Sequence, residues 1–118
     1  MKLYDYTGIV HFHSAHSFDG TTAVSDIITA AGERDIDFLM LTDHSTLEAK
    51  GKEGWHGKVL LIVGQEISPR FNHYIAFGNE NTIFVEKESN EPPQHYIDEV
   101  VKEGGIGFIA HPDHGGTK

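Results

Sequence analysis

The sequence predicts an α/β domain whose main strands run parallel. Strand-like and helix-like segments alternate along the 118 residues, and such alternation is typical of βα units. Two predicted strands, at 36–44 and 59–66, are apolar without alternation, as expected for parallel strands that are covered on both faces. A chain of this length accommodates one small domain with a core.

Strand signals recur along the whole chain. The predicted strands lie, in order, at 7–13, 36–44, 59–66, 73–78, 82–86 and 106–111. The two shorter candidates, HYIAFG and TIFVE, are separated by the turn-like sequence NEN. The last strand, IGFIAH, ends where a proline and several glycines break the pattern.

Two helices are predicted between these strands. Residues 22–34 carry apolar side chains at helical spacing, and Thr21 or Thr22 is expected to cap this helix. Prolines at the start and a Gly-Gly pair at the end delimit a second helix at 93–103. The glycine-rich stretch 50–58 is predicted to be an exposed connection.

The composition narrows the classes of function. The chain contains no cysteine, which excludes disulfides and thiolate metal sites and fits a reducing, cytoplasmic location. Its formal net charge of −9 disfavours nucleic-acid binding through a basic surface, and would repel a phosphate unless a bound cation reversed the local charge. No apolar signal region follows Met1 and no apolar run approaches membrane-spanning length. We therefore expect neither membrane insertion nor nucleic-acid binding.

Metal-ligating residue types stand where the predicted strands begin or end. His11 and His13 are two residues apart in the first strand, so regular alternation would place both rings on one face, about 6 to 7 Å apart. The candidates on the other strands are His44, Glu66, His73 and His111. The carboxyl ends of strands in a parallel α/β barrel surround one mouth, where active sites are built.

Imidazole and carboxylate ligands together suit Zn, Mn or Fe better than Mg or Ca. More than four candidate ligands indicate more than one ion. Glu66 has two carboxylate oxygens and can bridge two ions, which is the arrangement that activates water in two-metal sites.

The ordered motifs HFHS with FDG, LTDH, GQE, NHYIAFG and GFIAHP resemble those of the PHP family, the polymerase and histidinol phosphatase domain. The resemblance spans most of the chain. It implies a distorted, TIM-like (β/α)7 barrel with two or three divalent ions at its mouth, and hydrolysis of a phosphate mono- or diester. The implied ligands are His11 and His13 for the first ion, His73 and His111 for the second, Asp19 and His44 for the third, and Glu66 as the bridge between the first two.

The chain departs from the family pattern after His111. The family closes its site with an Asp-x-His pair on a late strand, whereas Asp113 and His114 follow the last motif with no strand to carry them. With the two short candidates included, the six predicted segments amount to about five strands where the family has seven, so residues 1–118 are expected to form a single, incomplete PHP domain. It would be an excised fragment, a truncated gene product or a part completed by another chain. The intact second-ion set is expected to hold metal best, and open strand edges predict self-association.

Several residues have alternative interpretations. Arg70 suits bidentate phosphate contact, and His16 lies in a loop where it contacts substrate or is simply exposed. Asp43 either orients a ligand imidazole or makes a loop contact. His114 either binds a product phosphate, replaces a missing ligand or plays no part.

The expected reaction is attack on phosphorus by hydroxide generated at the ions, beside Glu66 as the catalytic carboxylate. A small phosphorylated molecule is the expected substrate. Two alternatives stay open: a non-catalytic metal-binding module of a larger protein, and a metallohydrolase that acts on a carboxylic or carbamic ester.

Overall fold

The computed structural model describes residues 1–86 and 89–112, which form a curled mixed sheet with helices against it. The strands are β1 (Gly8–Phe12), β2 (Phe38–His44), β3 (Gly54–His56), β4 (Val59–Ile67), β5 (Tyr74–Phe77) and β6 (Ile106–Ile109). The helices are α1 (Val24–Glu33), a short 3₁₀ helix (Glu48–Lys52) and α2 (Pro93–Lys102). The sheet order is β1-β2-β4-β5-β6, and β3 also pairs with β4. The predicted α/β class is therefore confirmed. Within the described ranges, no helix is long and apolar enough to cross a membrane.

The first half of the sheet is parallel, as predicted. β2 lies between β1 and β4 and runs parallel to both. Its buried Leu39 and Leu41 form one core cluster with Val24 and Ala31 of α1. The predicted threonine cap on α1 is wrong, because Ala23 occupies the cap position and no side chain caps the helix.

The second half of the sheet departs from the parallel prediction. β5 is antiparallel to β4, and β6 is antiparallel to β5, so β6 again runs in the direction of β4. A β-carbon on Gly64 would lie 2.1 Å from the carbonyl oxygen of Ala76, so glycine permits this close pairing. A parallel (β/α)7 barrel is not what the described residues form.

The strand predicted at 82–86 does not form. The buried side chain of Gln65 occupies its backbone instead: Oε1 accepts from the N–H of Ile83 at 2.9 Å, and Nε2 donates to the carbonyl of Ile83 at 3.0 Å. Asn79 donates to the same Oε1 at 3.0 Å. Because a side chain satisfies these backbone groups, the segment needs no strand partner.

The stretch predicted as an exposed connection, 50–58, is more ordered than expected. It contains the end of the 3₁₀ helix and β3, which pairs antiparallel with the start of β4. Between β3 and β5, the backbone of Val63 is satisfied by side chains. Its N–H donates to Glu53 Oε2 at 2.7 Å, and its carbonyl accepts from Lys50 Nζ at 3.3 Å.

The sheet curls enough to bring its two outer strands together at one end. β1 and β6 stand at opposite ends of the strand order, yet the ring centroids of His11 and His111 lie 5.6 Å apart. Apolar residues line the inner face of the curl: Met40, Ile62, Ile75, Phe77 and Ala110 form one cluster. On the two outer strands Val10, Ile106 and Phe108 are exposed, by 44% to 74%.

Self-association stays a prediction, and these outer strands are where we expect it. Among the described strands, β1 and β6 each pair on one edge alone, and an unpaired edge beside apolar side chains favours pairing with another copy. Light scattering over a concentration series is expected to show a growing dimer fraction. Ile106→Lys should reduce that fraction, whereas Val101→Lys, an exposed change on α2, should not. A clean monomer at high concentration would contradict the prediction.

Candidate metal centre

Glu66 is at the centre of a histidine cluster at one end of the sheet. The cluster consists of the imidazoles of His11, His13, His44, His73 and His111. The Glu66 side chain, near the end of β4, is 1% exposed. The Oε1 atom lies 3.0 Å from His73 Nδ1 and 3.0 Å from His111 Nε2. The nitrogens near Oε2 are the Nε2 atoms of His13 at 3.1 Å, His11 at 3.6 Å and His44 at 3.6 Å. One buried carboxylate thus faces five histidines.

Strand direction explains why these side chains meet. His44 and Glu66 are register partners at the ends of the parallel strands β2 and β4. His73 precedes β5, which runs the opposite way, so the start of β5 lies at the same edge of the sheet. His111 follows β6, which runs with β4 again. The expected mouth therefore assembles from two strand directions rather than from one.

A β-bulge, and not regular alternation, brings His11 and His13 to Glu66. The register between β1 and β2 shifts between Val10 and Phe12, and His11 between them has φ of 74°. Phe12 packs against the core beside α1. With the extra residue, His13 points away from that core toward Glu66. Bulges of this kind commonly re-aim side chains next to functional sites.

Unusual backbone conformations are concentrated around the histidine cluster. Among the described non-glycine residues, positive φ occurs at His11, Asp35, Ser45, Asn72 and His111. All but Asp35 are either members of the histidine cluster or sequence neighbours of a member. Such conformations cost on the order of 1–3 kcal/mol each and cluster where function requires them.

Asp19 joins the cluster from the loop between β1 and α1. Its Oδ2 atom lies 3.0 Å from His44 Nε2. Ser17 Oγ donates to Asp19 Oδ1 at 2.7 Å and accepts from the backbone N–H of His44 at 3.1 Å. The rings of His13 and His44 stack at 4.4 Å. The loop is therefore fastened to the end of β2.

The geometry offers two groups of ligand atoms that could hold a metal ion. In each group, one atom from each residue lies within 4.8 Å of the others. The first group is His11, Glu66 and His111, and the second is His13, Asp19 and His44. These groups divide the ligands differently from the pattern that the PHP resemblance implies, since His11 and His13 fall into separate groups.

The hydroxyl groups of Thr42 and Ser68 orient two imidazoles of the histidine cluster. Thr42 Oγ1 donates to the carbonyl of Phe12 at 3.3 Å and lies 2.7 Å from His11 Nδ1. When the hydroxyl proton is donated to Phe12, Thr42 accepts from His11 Nδ1–H, and in that tautomer the lone pair is on Nε2, the atom that faces Glu66 and would bind a metal. Ser68 Oγ lies 2.9 Å from His44 Nδ1.

Sequence reasoning missed these hydroxyls. Thr42 stands two residues before His44 in β2, so strand alternation alone would have placed both on the face that carries Glu66. The roles of Ser17 and Ser68 depend on loop conformations, for which the sequence has no comparable signal.

The surroundings favour the ionised form of Glu66. Burial opposes ionisation, but the electrostatic interactions with His44 and His11 and the hydrogen bonds from His111 and His73 outweigh it, so the pKa of Glu66 lies below its ordinary value. An ionised carboxylate is the form that binds a metal.

Two further groups are shifted toward their ligating forms. Burial lowers the pKa of His11, against the opposing effect of Glu66, which favours the neutral imidazole. Burial raises the pKa of Asp19, but the Ser17 hydrogen bond and the nearby rings of His13 and His44 more than compensate and lower it overall. Each direction favours metal binding at neutral pH.

One buried oxygen of Glu66 indicates that the histidine cluster is suited to a cation. Glu66 Oε2 is fully buried and accepts no hydrogen bond from the described residues, although three Nε2 atoms lie within 3.6 Å. One of them belongs to His11, whose lowered pKa favours the neutral imidazole. A cation between a neutral imidazole nitrogen and this oxygen would satisfy a lone pair on each. The donor set therefore fits a divalent metal ion.

Other predicted site residues lie at the margin. Arg70 is exposed after β4. Its guanidinium packs over the ring of Phe71, 5.3 Å from the centroid, rather than against the histidine cluster. His16 Nδ1 lies 3.3 Å from Glu48 Oε2 on the surface.

Asp43 makes a loop contact, not a contact with an imidazole. Its Oδ1 accepts from the N–H of Ser14 at 2.6 Å, and its Oδ2 accepts from the Ser14 hydroxyl at 2.7 Å. Asp113 and His114 lie outside the described residues.

A comparison with protein-family models finds no match to the chain, and a comparison with curated proteins finds none either. The resemblance to the PHP family therefore stays a prediction. What the chain does is inferred from the geometry around Glu66.

Replacing Thr42 tests whether the hydroxyl prepares His11 for a metal. Thr42→Val keeps the shape of the side chain but removes the acceptor for His11 Nδ1–H. We expect Zn²⁺ affinity, measured by competition with a chromophoric chelator, to fall about 10- to 100-fold, as for other partners of ligating histidines. Thr42→Ser should retain most of the affinity.

The control is Thr29→Val, which removes an exposed hydroxyl that bonds the carbonyl of Ser25 within α1. It should leave Zn²⁺ affinity unchanged. Equal affinities for Thr42→Val and the wild type would show that the hydroxyl does not prepare His11.

Proposed function

We propose that the chain is a metal-dependent hydrolase of phosphate esters, with a PHP-type site. The observation that carries the proposal is the buried Glu66 carboxylate, which turns one oxygen toward His73 and His111 and the other toward the Nε2 atoms of three more histidines. A carboxylate placed between two sets of imidazoles can bridge two ions.

The ligand chemistry favours two or three ions of Zn, Mn or Fe, because imidazoles outnumber carboxylates. In the proposed arrangement Glu66, His11, His73 and His111 would hold one ion, and His13, Asp19 and His44 would hold another. Bound divalent ions supply the positive charge that ionises water near neutral pH and offsets the charge of the phosphoryl oxygens.

The chain's own residues position these charges. Burial keeps bulk water away from Glu66 and strengthens its electrostatic interactions. The hydroxyls of Thr42 and Ser68 hold the rings of His11 and His44 in place. In the reaction, the oxygen of water forms a bond to phosphorus, the bond from phosphorus to the ester oxygen breaks, and the departing oxygen takes up a proton. His16 and Arg70 lie against Glu48 and Phe71 in this structure, so their side chains would have to turn toward the imidazoles to contact the small phosphorylated substrate.

Glu66→Gln tests the proposal, because the amide keeps the size of the buried side chain and removes its charge. We expect hydrolysis of p-nitrophenyl phosphate by Mn²⁺- or Zn²⁺-loaded protein to fall by roughly 100-fold or more, since metal charge contributes several kcal/mol to such reactions. Bis-p-nitrophenyl phosphate and p-nitrophenyl acetate complete the panel.

Glu99→Gln is the matched control, since Glu99 also lies near a histidine, His95, but on the surface of α2. It should hydrolyse the panel at the wild-type rate. Preference for the acetate would indicate a hydrolase of another ester class, and metal binding without hydrolysis of any ester would indicate a non-catalytic module. Full phosphatase activity in Glu66→Gln would overturn the proposed role of Glu66.

A further inference from the structure

An exposed aromatic side chain lies beside the histidine cluster. Phe18 is 87% exposed, and its ring centroid lies 4.9 Å from that of His44. His44 in turn lies 3.6 Å from Glu66. A single imidazole therefore separates this apolar surface from the central carboxylate, which distinguishes Phe18 from exposed aromatics elsewhere on the chain.

Phe18 is held in place although its side chain is exposed. On one side, Ser17 is bonded to the backbone of His44, and on the other, Asp19 is bonded to the ring of His44. The loop is tight, because a β-carbon on Gly20 would lie 2.0 Å from the carbonyl oxygen of Ser14. Because the backbone that carries Phe18 is fastened, less conformational freedom is lost when a ligand packs against its ring.

The charges around this position disfavour an anionic group in the rest of the substrate. The chain carries a net charge of −9. Close to Phe18 along the loop, His16 lies against the exposed carboxylate of Glu48. Arg70, the cation expected to assist, packs on Phe71. A group that extends from the metal-binding end toward this loop would therefore meet the apolar ring of Phe18 and the carboxylate of Glu48.

We propose that Phe18 is a specificity-determining residue that packs against a planar aromatic leaving group, so that the site prefers aryl phosphate esters to phosphate esters of small polar alcohols. The inference rests on the proposed function, because it concerns the group attached to the hydrolysed phosphate. Aromatic rings prefer offset or edge-to-face contact with a second ring, and such pairs contribute beyond the burial of their area.

The test measures binding and does not depend on turnover. Phenylphosphonate and methylphosphonate are not hydrolysed, share the anionic group and differ in the ring. Isothermal titration of each into Zn²⁺-loaded protein yields the ratio of their affinities, which is insensitive to the fraction of loaded protein. We expect the wild type to prefer phenylphosphonate by roughly 3- to 10-fold, the factor that an aromatic pair supplies.

Phe18→Ala should abolish the preference without weakening methylphosphonate binding, and Phe18→Tyr should retain it. Phe84→Ala, which removes a similarly exposed ring (78%) outside this loop, should leave the ratio unchanged. Metal-dependent methylphosphonate binding with no phenyl preference, or a preference that survives Phe18→Ala, would overturn the role of Phe18 and leave the proposed function standing. If neither phosphonate binds to the Zn²⁺-loaded protein, the proposed function fails and this inference fails with it.

Discussion

The structure depends on one electrostatic constraint: an ionised carboxylate is buried at the point where the strands meet. Removing a carboxylate from water costs several kcal/mol unless opposite charge or hydrogen bonds replace the lost hydration. Hydrogen bonds from His73 and His111 compensate one oxygen of Glu66. The other oxygen accepts none from the described residues. Three imidazole nitrogens lie within 3.6 Å of it, and a divalent ion held by these residues would compensate its charge directly.

The fold serves this constraint by directing side chains from both strand directions toward one edge. β2 and β4 deliver His44 and Glu66 from their ends, and the reversal at β5 brings His73 back to the same place. The bulge in β1 and the positive φ of His111 turn the outermost rings inward. Backbone strain and curvature are thus concentrated where ligands converge, while the apolar core beside α1 is regular.

Much of this arrangement could be predicted from the sequence, because it depends on local patterns. Apolar runs located the central strands, and polar residues at their ends located the mouth. Other features depend on contacts between distant residues, which local patterns do not encode. The amide of Gln65 occupies the backbone of Ile83 and prevents a strand there, and Glu53 satisfies Val63 where a strand would otherwise pair. The bulge at His11 was invisible because its sequence also fits regular alternation.

The most direct test of the central claim is the metal content of the wild-type protein. Inductively coupled plasma mass spectrometry on protein purified without added metal or affinity tag would quantify Zn, Mn and Fe per chain. The compensation required by Glu66 predicts one or more equivalents of these metals, restored by dialysis against Zn²⁺ after removal with a chelator. Protein that carries none of them and retains no Zn²⁺ after dialysis would contradict the claim that the histidine cluster around Glu66 is a metal centre.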